Sequence, residues 1–326
     1  MGTQRSIARL ALLAAVMLAA MGLSLTIGAA HPSFARAWSD PNSYDRALLG
    51  ARLCRVLLGA IAGASLAAVG AGFQGLFRNP LGDPYALGVS GGAALGATVA
   101  VLAGFGLAVV PAAAFAGAVG STAVVLLTAR ASGRLGAEGL LLAGMVSNAV
   151  TNAGLALLRS SVQNARTQET LTILLGTISE EPADRVARVA VTAGVGVLIL
   201  WGHSKALNLL ALGDDGAASL GLSVRRAERA VFLASSLAVA SVVSVCGLIP
   251  FVGLIVPNYA RSWVGGDHRV LIPACALGGA TLLVLADAVA RGLFLVLHTE
   301  PPVGAITALV GGPFFLLLLK KARVEG

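Results

Sequence analysis

The chain has 326 residues, of which 57% are hydrophobic and only 12% are charged, and its mean hydropathy is +0.86. This composition excludes an ordinary soluble globular protein. The net charge of +8 comes without any basic run interleaved with aromatic residues, so nucleic-acid binding is not indicated. Apolar segments that approach the roughly 20 residues needed to cross a bilayer recur along the whole chain. They lie at residues 10–30, 53–73, 86–106, 109–129, 139–158, 187–206, 229–247, 248–262, 270–290 and 303–319.

These segments predict a single integral membrane domain over residues 1–326, an all-α bundle of about ten transmembrane helices, because lipid leaves backbone polar groups no external partner. The eighth segment is short and contains Pro250 and Pro257, so we expect a broken or tilted helix there. The first segment follows Arg5 and Arg9 and has an alternative interpretation as a cleaved signal peptide. Its apolar run is longer than a usual signal core, and we predict that it is retained as the first helix.

The distribution of basic residues predicts the orientation. With both termini in the cytoplasm, the cytoplasmic segments contain the larger share of the arginines and every lysine: Lys205, Lys320 and Lys321. The positive charge is therefore explained by topology, and we expect a multi-pass protein of the cell inner membrane. The cysteines at 54, 246 and 275 are isolated in apolar surroundings with no C-x-x-C pattern, so no metal site is predicted.

Two glycine motifs suggest enzymes. Gly70, Gly72 and Gly75 form G-x-G-x-x-G, but a membrane span precedes them where a dinucleotide site needs a strand. Glycines spaced four apart indicate helix packing instead, as at 59 and 63 or at 88, 92 and 96. Ser90 lies in a G-x-S-x-G motif, which leaves an intramembrane serine protease as a minor alternative. The histidines that such a protease would need lie in loops or at span ends: His31, His203, His268 and His298.

No lysine follows a glycine, so the chain has no G-x-x-x-x-G-K-[ST] phosphate loop. We therefore predict that it is not itself an ATPase or another enzyme. Active transport through this bundle would draw its energy from an ion gradient or from a separate ATPase. An ion-coupled secondary transporter stays open as an alternative, although it would be expected to carry an acid near the bilayer midplane and the acids here lie mostly in loops.

The segment RLCRVLLGAIAGASLAAVGAGFQGLFRNPLGDPYALGVSGGAALGA, residues 52–97, resembles the permease family of the type II ABC importers for iron-siderophores, haem and cobalamin. That family carries R-L-P-R, then G-x-x-x-Q-x-x-x-R-N-P-L-A-D-P, then L-G-V-S-x-G-A. Further matching segments lie at 140–144, 207–223, 247–258, 265–273, 286–291 and 302–315. The departures are Cys54 for a proline, Gly82 for an alanine, Asn258 for a common histidine, and Thr299-Glu300-Pro301 where Glu-Leu is frequent.

The resemblance implies a homodimer with one translocation path at the two-fold axis. Two cytoplasmic ATPase subunits, which would bind the ATP and Mg, and an extracytoplasmic substrate-binding protein would complete the importer. No cofactor is expected in this chain. The substrate would be an iron chelate (a siderophore complex or haem) or cobalamin, with iron chelates favoured on family membership alone.

The resemblance also implies roles for particular residues. Arg52, Arg55 and Arg291 match arginines that receive carboxylates of the binding protein; anchoring to lipid headgroups is the alternative. Asn79 and Leu81 lie in the turn 78–84, where the family narrows its path on the cytoplasmic side, although an ordinary turn explains them as well. Asp287 and Arg291 are spaced as an i to i+4 ion pair, which would be the purely structural interpretation.

The segment 210–224 corresponds to the family's coupling helix, which seats on the ATPase. Gly213 is expected to break the preceding helix, and Asp214 and Asp215 to begin a short one. The remaining coupling residues are Leu212, Ala217, Ala218, Leu220 and Gly221, of which Ala217, Ala218 and Leu220 are predicted to form one compact face and Gly221 to end the helix. A plain cytoplasmic loop is the alternative.

A polar stripe marks the fifth span, at Ser147, Asn148, Thr151 and Asn152. A stripe of this kind faces protein or water rather than lipid, so it indicates either a pathway lining or hydrogen bonding between helices. Between the fifth and sixth spans, residues 165–179 mix polar and apolar residues, and we predict a short helix on the outer face.

Overall fold

The structure is a computed structural model, and it describes residues 2–28, 33–40, 42–105, 109–131, 137–160 and 176–324. These residues form helices joined by turns, with no strand among them. The α-helices are α1 Gly2–Thr26, α2 Phe34–Ser39, α3 Tyr44–Leu76, α4 Val89–Leu102, α5 Val110–Ala131, α6 Ala137–Ser160, α7 Ala183–Gly202, α8 Ser204–Leu210, α9 Asp214–Ser219, α10 Val224–Cys246, α11 Val252–Val264, α12 His268–Leu297 and α13 Val303–Val324, and a 3₁₀ helix spans Pro84–Leu87.

Each predicted span overlaps one of these helices, so the prediction of a membrane helical bundle is confirmed. By length and composition, seven helices of the described chain can cross a membrane, and Val89–Leu102 and Val303–Phe315 are shorter apolar helices. The eighth span is the 13-residue α11, which contains Pro257. The observed α3 is longer than its apolar segment because Ser43 caps it, its hydroxyl accepting from the backbone N–H of Arg46.

Helix α3 lies at the centre of the bundle, and close backbone contacts with its glycines hold the neighbouring helices against it. A Cβ at Gly63 would collide with the backbone oxygen of Gly279 on α12, and one at Gly70 would collide with that of Gly253 on α11. Approach this close brings backbones into van der Waals contact, which drives helix association in lipid. The packing role of the glycines is therefore confirmed, and the dinucleotide motif is explained by it.

Helices α4 and α5 pack in the same manner, since a Cβ at Gly92 would collide with the oxygen of Gly117. The predicted outer helix at 165–179 falls largely outside the described residues. Its last part, residues 176–179, is described and is not helical.

Candidate functional site

A buried charge network lies where α3 and α12 meet, and Asp287 is its centre. One carboxylate oxygen, Oδ1, accepts from Nε and Nη2 of Arg55 at 3.1 and 2.9 Å. The other, Oδ2, accepts from Nε of Arg291 at 3.0 Å. Arg55 also donates to Glu300 at 2.9 Å, in the segment that precedes α13. The i to i+4 pair expected from the sequence is thus present, but it is part of a larger network.

Arg291 and a third arginine, Arg52, bind the end of α1. Arg291 donates from Nη1 to the carbonyl oxygen of Ile27 at 2.7 Å and from Nη2 to the hydroxyl of Ser24 at 2.5 Å. Arg52 donates to the carbonyl oxygen of Leu25 at 3.0 Å. The network therefore joins α1, α3, α12 and the chain before α13 at one end of the bundle. We call Arg52, Arg55, Asp287, Arg291 and Glu300 the arginine cluster.

The burial of these arginines bears on the docking prediction. Within this chain Arg52, Arg55 and Arg291 are 4%, 8% and 4% exposed, and Asp287 is 2% exposed. Their guanidinium groups already have partners within the chain, so the structural interpretation of the Asp287–Arg291 pair is supported. Docking by a binding protein stays a prediction. No spacing in the sequence linked Arg55 to Asp287 or to Glu300, so neither contact was predicted.

The turn between α3 and α4, residues 77–83, is closed by several hydrogen bonds, and we call it the gate turn after the role predicted for Asn79 and Leu81. Asn79 accepts from the backbone N–H of Leu81 at 2.9 Å, and the amide of Asn258 donates to the carbonyl oxygen of Pro80 at 3.0 Å. Asp83 caps the 3₁₀ helix by accepting from the N–H of Tyr85 at 2.8 Å. Burial raises the pKa of the Asp83 carboxyl above its ordinary value, and this hydrogen bond opposes the shift. Asn79 and Leu81 are thus held by the turn itself.

The polar stripe of α6 forms hydrogen bonds to neighbouring elements, and its role as a pathway lining stays a prediction. The hydroxyl of Ser147 is 2.9 Å from that of Ser121 on α5, and Thr151 donates to the carbonyl oxygen of Ser147 at 2.9 Å. Asn148 donates to the carbonyl oxygen of Tyr85 at 2.8 Å. Asn152 makes no such bond within the described chain and is exposed.

A cavity of about 490 Å³ lies beside this stripe. Its lining combines the polar side chains Tyr85, Ser90, Asn148 and Asn152 with small and apolar residues, among them Leu248. No charged side chain of the described residues lines it. The hydroxyl of Ser90 donates to the carbonyl oxygen of Tyr85 at 3.3 Å, and none of the described histidines bonds to it, so the structure offers the serine protease alternative no support.

The predicted coupling segment forms a short helix between two glycine turns. Gly213 (φ +93°) precedes α9, and Gly221 (φ +84°) follows it. The N–H of Leu222 donates to the carbonyl oxygen of Ala217 at 3.0 Å and closes the C-terminal turn. Leu212 and Leu220 are 63% and 61% exposed.

One part of that prediction was wrong. Ala217 is fully buried, whereas Ala218 and Leu220 are exposed, so the three do not share a face. Ala217 packs against the bundle, and the opposite side of α9 is exposed. Leu212, Ala218 and Leu220 are among the exposed residues of the segment.

A polar contact fixes the start of α12 near the same end of the bundle. Asp267 caps this helix by accepting from the backbone N–H of Arg269 at 3.0 Å, and it also accepts from the amide of Asn208 on α8 at 2.7 Å. These two hydrogen bonds, that of Arg269 first, lower the pKa of Asp267. The cap therefore ties α12 to the helix that leads into the coupling segment.

A polytopic helical bundle with an uncharged polar cavity between its helices and a short exposed helix at one end defines a membrane transport protein. The sequence matches the FecCD transport family over residues 13–321. The chain belongs to this family, and it is the permease type of subunit rather than the ATPase type.

Relatives and a solved structure agree with this assignment. The cobalamin import system permease protein BtuC of Halobacterium salinarum is 38% identical over 275 residues, which cover 84% of this chain and 73% of that protein. The hemin transport system permease protein HmuU of Yersinia pestis is 37% identical over 326 residues, 96% of this chain and 95% of that one. A structure described as an inward-facing metal-chelate type ABC transporter matches with a TM-score of 0.85 at 31% identity, covering 97% and 99% of the two chains.

Proposed function

We propose that this chain is the membrane subunit of an ATP-driven importer and works as a homodimer by alternating access. Separate cytoplasmic ATPase subunits seat on the coupling segment, and both termini lie in the cytoplasm. The observation that carries the proposal is α9, a short helix between two glycine turns, flanked by the exposed Leu212 and Leu220. Two exposed leucines beside a six-residue helix are suited to a groove on a partner protein.

The substrate is an iron chelate, with cobalamin as the second candidate. The names of the two relatives, one for haem and one for cobalamin, support this range. The cavity beside α6 offers amide and hydroxyl groups without charge, which suits a large chelate that must bind and leave again. Measuring which ligand the cognate binding protein retains decides between the two candidates.

The arginine cluster is the proposed contact for that binding protein. It contains three arginines and two carboxylates, so it keeps one net positive charge at its end of the bundle. Glu300 is 44% exposed at the side chain and marks the part of the cluster that a partner reaches first. Exposed charges at the rim of an interface, as Glu300 would be, act mainly on the association rate and on its dependence on salt.

The coupling role is tested by Ala218→Trp. Ala218 is exposed on α9, and a helix that fits a groove tolerates little added volume. We expect the variant to reach the membrane while ATPase co-purification or transport falls at least about tenfold, equivalent to roughly 1.4 kcal/mol. The matched control is Ala103→Trp, at another exposed alanine after α4. Normal ATPase association and transport in Ala218→Trp would remove the coupling role from α9.

The competing function makes a different prediction. An ion-coupled transporter moves its substrate in vesicles that contain this chain alone and an ion gradient. The ATP-driven importer requires the ATPase subunits and ATP in the same vesicles.

A further inference from the structure

Two acidic side chains join the coupling segment and its continuation to the two elements predicted to line the pathway. Oδ1 of Asp214, the first residue of α9, lies 3.0 Å from Nη2 of Arg78 in the gate turn. Oε1 of Glu228 on α10 accepts from the backbone N–H of Ala137, the first residue of α6, at 3.1 Å. Both contacts join residues that are far apart in sequence: Arg78 meets Asp214, and Glu228 meets Ala137, from which it is 91 residues distant.

The contact of Arg78 with Asp214 depends on the backbone conformation of the gate turn. Arg78 adopts φ +51°, a left-handed conformation that costs a non-glycine residue about 1–2 kcal/mol. Such a conformation persists only where the surroundings hold it. Here the next N–H, that of Asn79, donates to the carbonyl oxygen of Gln74 at 3.1 Å, and the guanidinium group lies beside Gly213. The gate turn is thus in direct contact with the start of α9.

Glu228 makes a second contact of a different kind. It is 1% exposed, and its other oxygen, Oε2, is buried with no hydrogen-bond partner among the described residues. A carboxylate at the first turn of a helix is favoured by the helix dipole, but a buried polar atom without a partner is costly. An apolar side chain at position 228 would leave the N–H of Ala137 without this acceptor. The bond of Glu228 therefore fixes the start of α6 against α10.

The chain between these contacts is short and contains several backbone hydrogen bonds. Leu222 donates to Ala217, and Arg226 donates to the carbonyl oxygen of Ser223 at 3.0 Å in the first turn of α10. Glu228 follows one turn later. Helix α9 is thus linked to Arg78 through one ion pair and to α6 through a few residues of α10.

We propose that Arg78 and Glu228 are positioning residues that convert a movement of α9 into movements of the gate turn and of α6. This inference rests on the proposed function, because it takes α9 as the place where the ATPase acts. Glu228 supplies an acceptor for the N–H of Ala137, and Arg78 supplies a charge for Asp214. Both residues act through other parts of the chain and need not touch the substrate.

The first experiment measures the substrate transported per ATP hydrolysed by the complete importer in liposomes. Glu228→Leu removes the acceptor, and we expect the ratio to fall at least about tenfold while ATPase co-purification and ATP hydrolysis persist. Glu228→Gln keeps a carbonyl acceptor and is expected to stay within about twofold of the wild type. The control Ser235→Ala changes another buried polar residue of α10, whose hydroxyl has no partner among the described residues, and should leave the ratio unchanged.

A structural role alone would lower assembly and hydrolysis together and leave the ratio intact. An unchanged ratio in Glu228→Leu overturns the assignment of Glu228. An equal loss in Glu228→Gln also overturns it, because the charge and not the acceptor would then be responsible.

The second experiment is a double-mutant cycle on the same ratio, and it remains informative if Glu228→Leu fails to fold. Arg78→Ala and Asp214→Ala should each lower the ratio about two- to fivefold, the range expected for a half-exposed ion pair. The double variant should fall no further than the worse single variant. The control is Arg226→Ala, since Arg226 is exposed on α10 and forms none of the ion pairs seen in the described residues. Losses that multiply in the double variant overturn the assignment of Arg78.

The coupling role of α9 and the positioning roles of Arg78 and Glu228 fail separately. Normal ATPase association together with normal transport in Ala218→Trp refutes the role of α9 and with it the proposed function. Uncoupling by Ala218→Trp together with normal ratios in the Glu228 and Arg78 variants refutes only the positioning roles.

Discussion

Asp287→Asn is expected to destabilise the folded chain strongly. The carboxylate is 2% exposed and accepts three hydrogen bonds, two from Arg55 and one from Arg291. Breaking a buried ion pair by removing one partner costs about 3–5 kcal/mol, since the other charge is left uncompensated. Arg55 retains Glu300, whereas the other partners of Arg291 among the described residues, Ser24 and Ile27 at the end of α1, are uncharged. We therefore expect a loss near the lower end of that range, about 3 kcal/mol.

Thiol reactivity provides the assay. Cys246 and Cys275 are buried, so a thiol-reactive fluorophore labels them only as the bundle opens. Cys54 is partly exposed and would be replaced by alanine in every variant to remove its background. Denaturant titrations of the purified protein in detergent then give the free energy of unfolding for Asp287→Asn and for its parent.

The matched control is Glu300→Gln, which also removes one carboxylate from Arg55. The side chain of Glu300 is 44% exposed, so solvent screens the pair and the expected loss is at most about 1 kcal/mol. Equal losses for the two variants, within about 0.5 kcal/mol, would refute the reasoning that burial of the partner charges sets the cost.

Three further predictions use simpler measurements. Purified alone, the chain should hydrolyse no ATP, and activity in a preparation free of other polypeptides would contradict this. Gly70→Ala should lower the free energy of unfolding by more than about 2 kcal/mol because its methyl group collides with the backbone of Gly253, whereas Gly50→Ala, in open space on the same helix, should be neutral or stabilising. The folded pKa of Asp267 is lowered, so its stabilisation is complete above about pH 4 and is lost as the pH falls through the folded value. The difference in melting temperature between wild type and Asp267→Ala should therefore be constant from pH 8 to pH 5 and shrink below pH 4; a difference that grows on acidification would show the opposite sign.

The sequence by itself determined the bundle, its spans and its breaks. Hydropathy depends on residues within one segment, so the apolar runs identified each long helix. The two ends of α9 were also predicted from local residues. Gly213 and Gly221 flank this helix, and both adopt φ values that other residues rarely adopt. The close glycine spacings indicated that helices touch, although they did not show which helix meets which.

Only the tertiary structure decided the partners. Arg55 and Asp287 are 232 residues apart and meet because α3 packs against α12. Glu228 reaches α6 in the same manner, and the orientation of Ala217 towards the bundle depends on the helices around α9. Local patterns determine where helices begin and end, but ion pairs and buried faces depend on which helices are neighbours. That arrangement is set by the close packing of the whole bundle, which no single segment of the sequence contains.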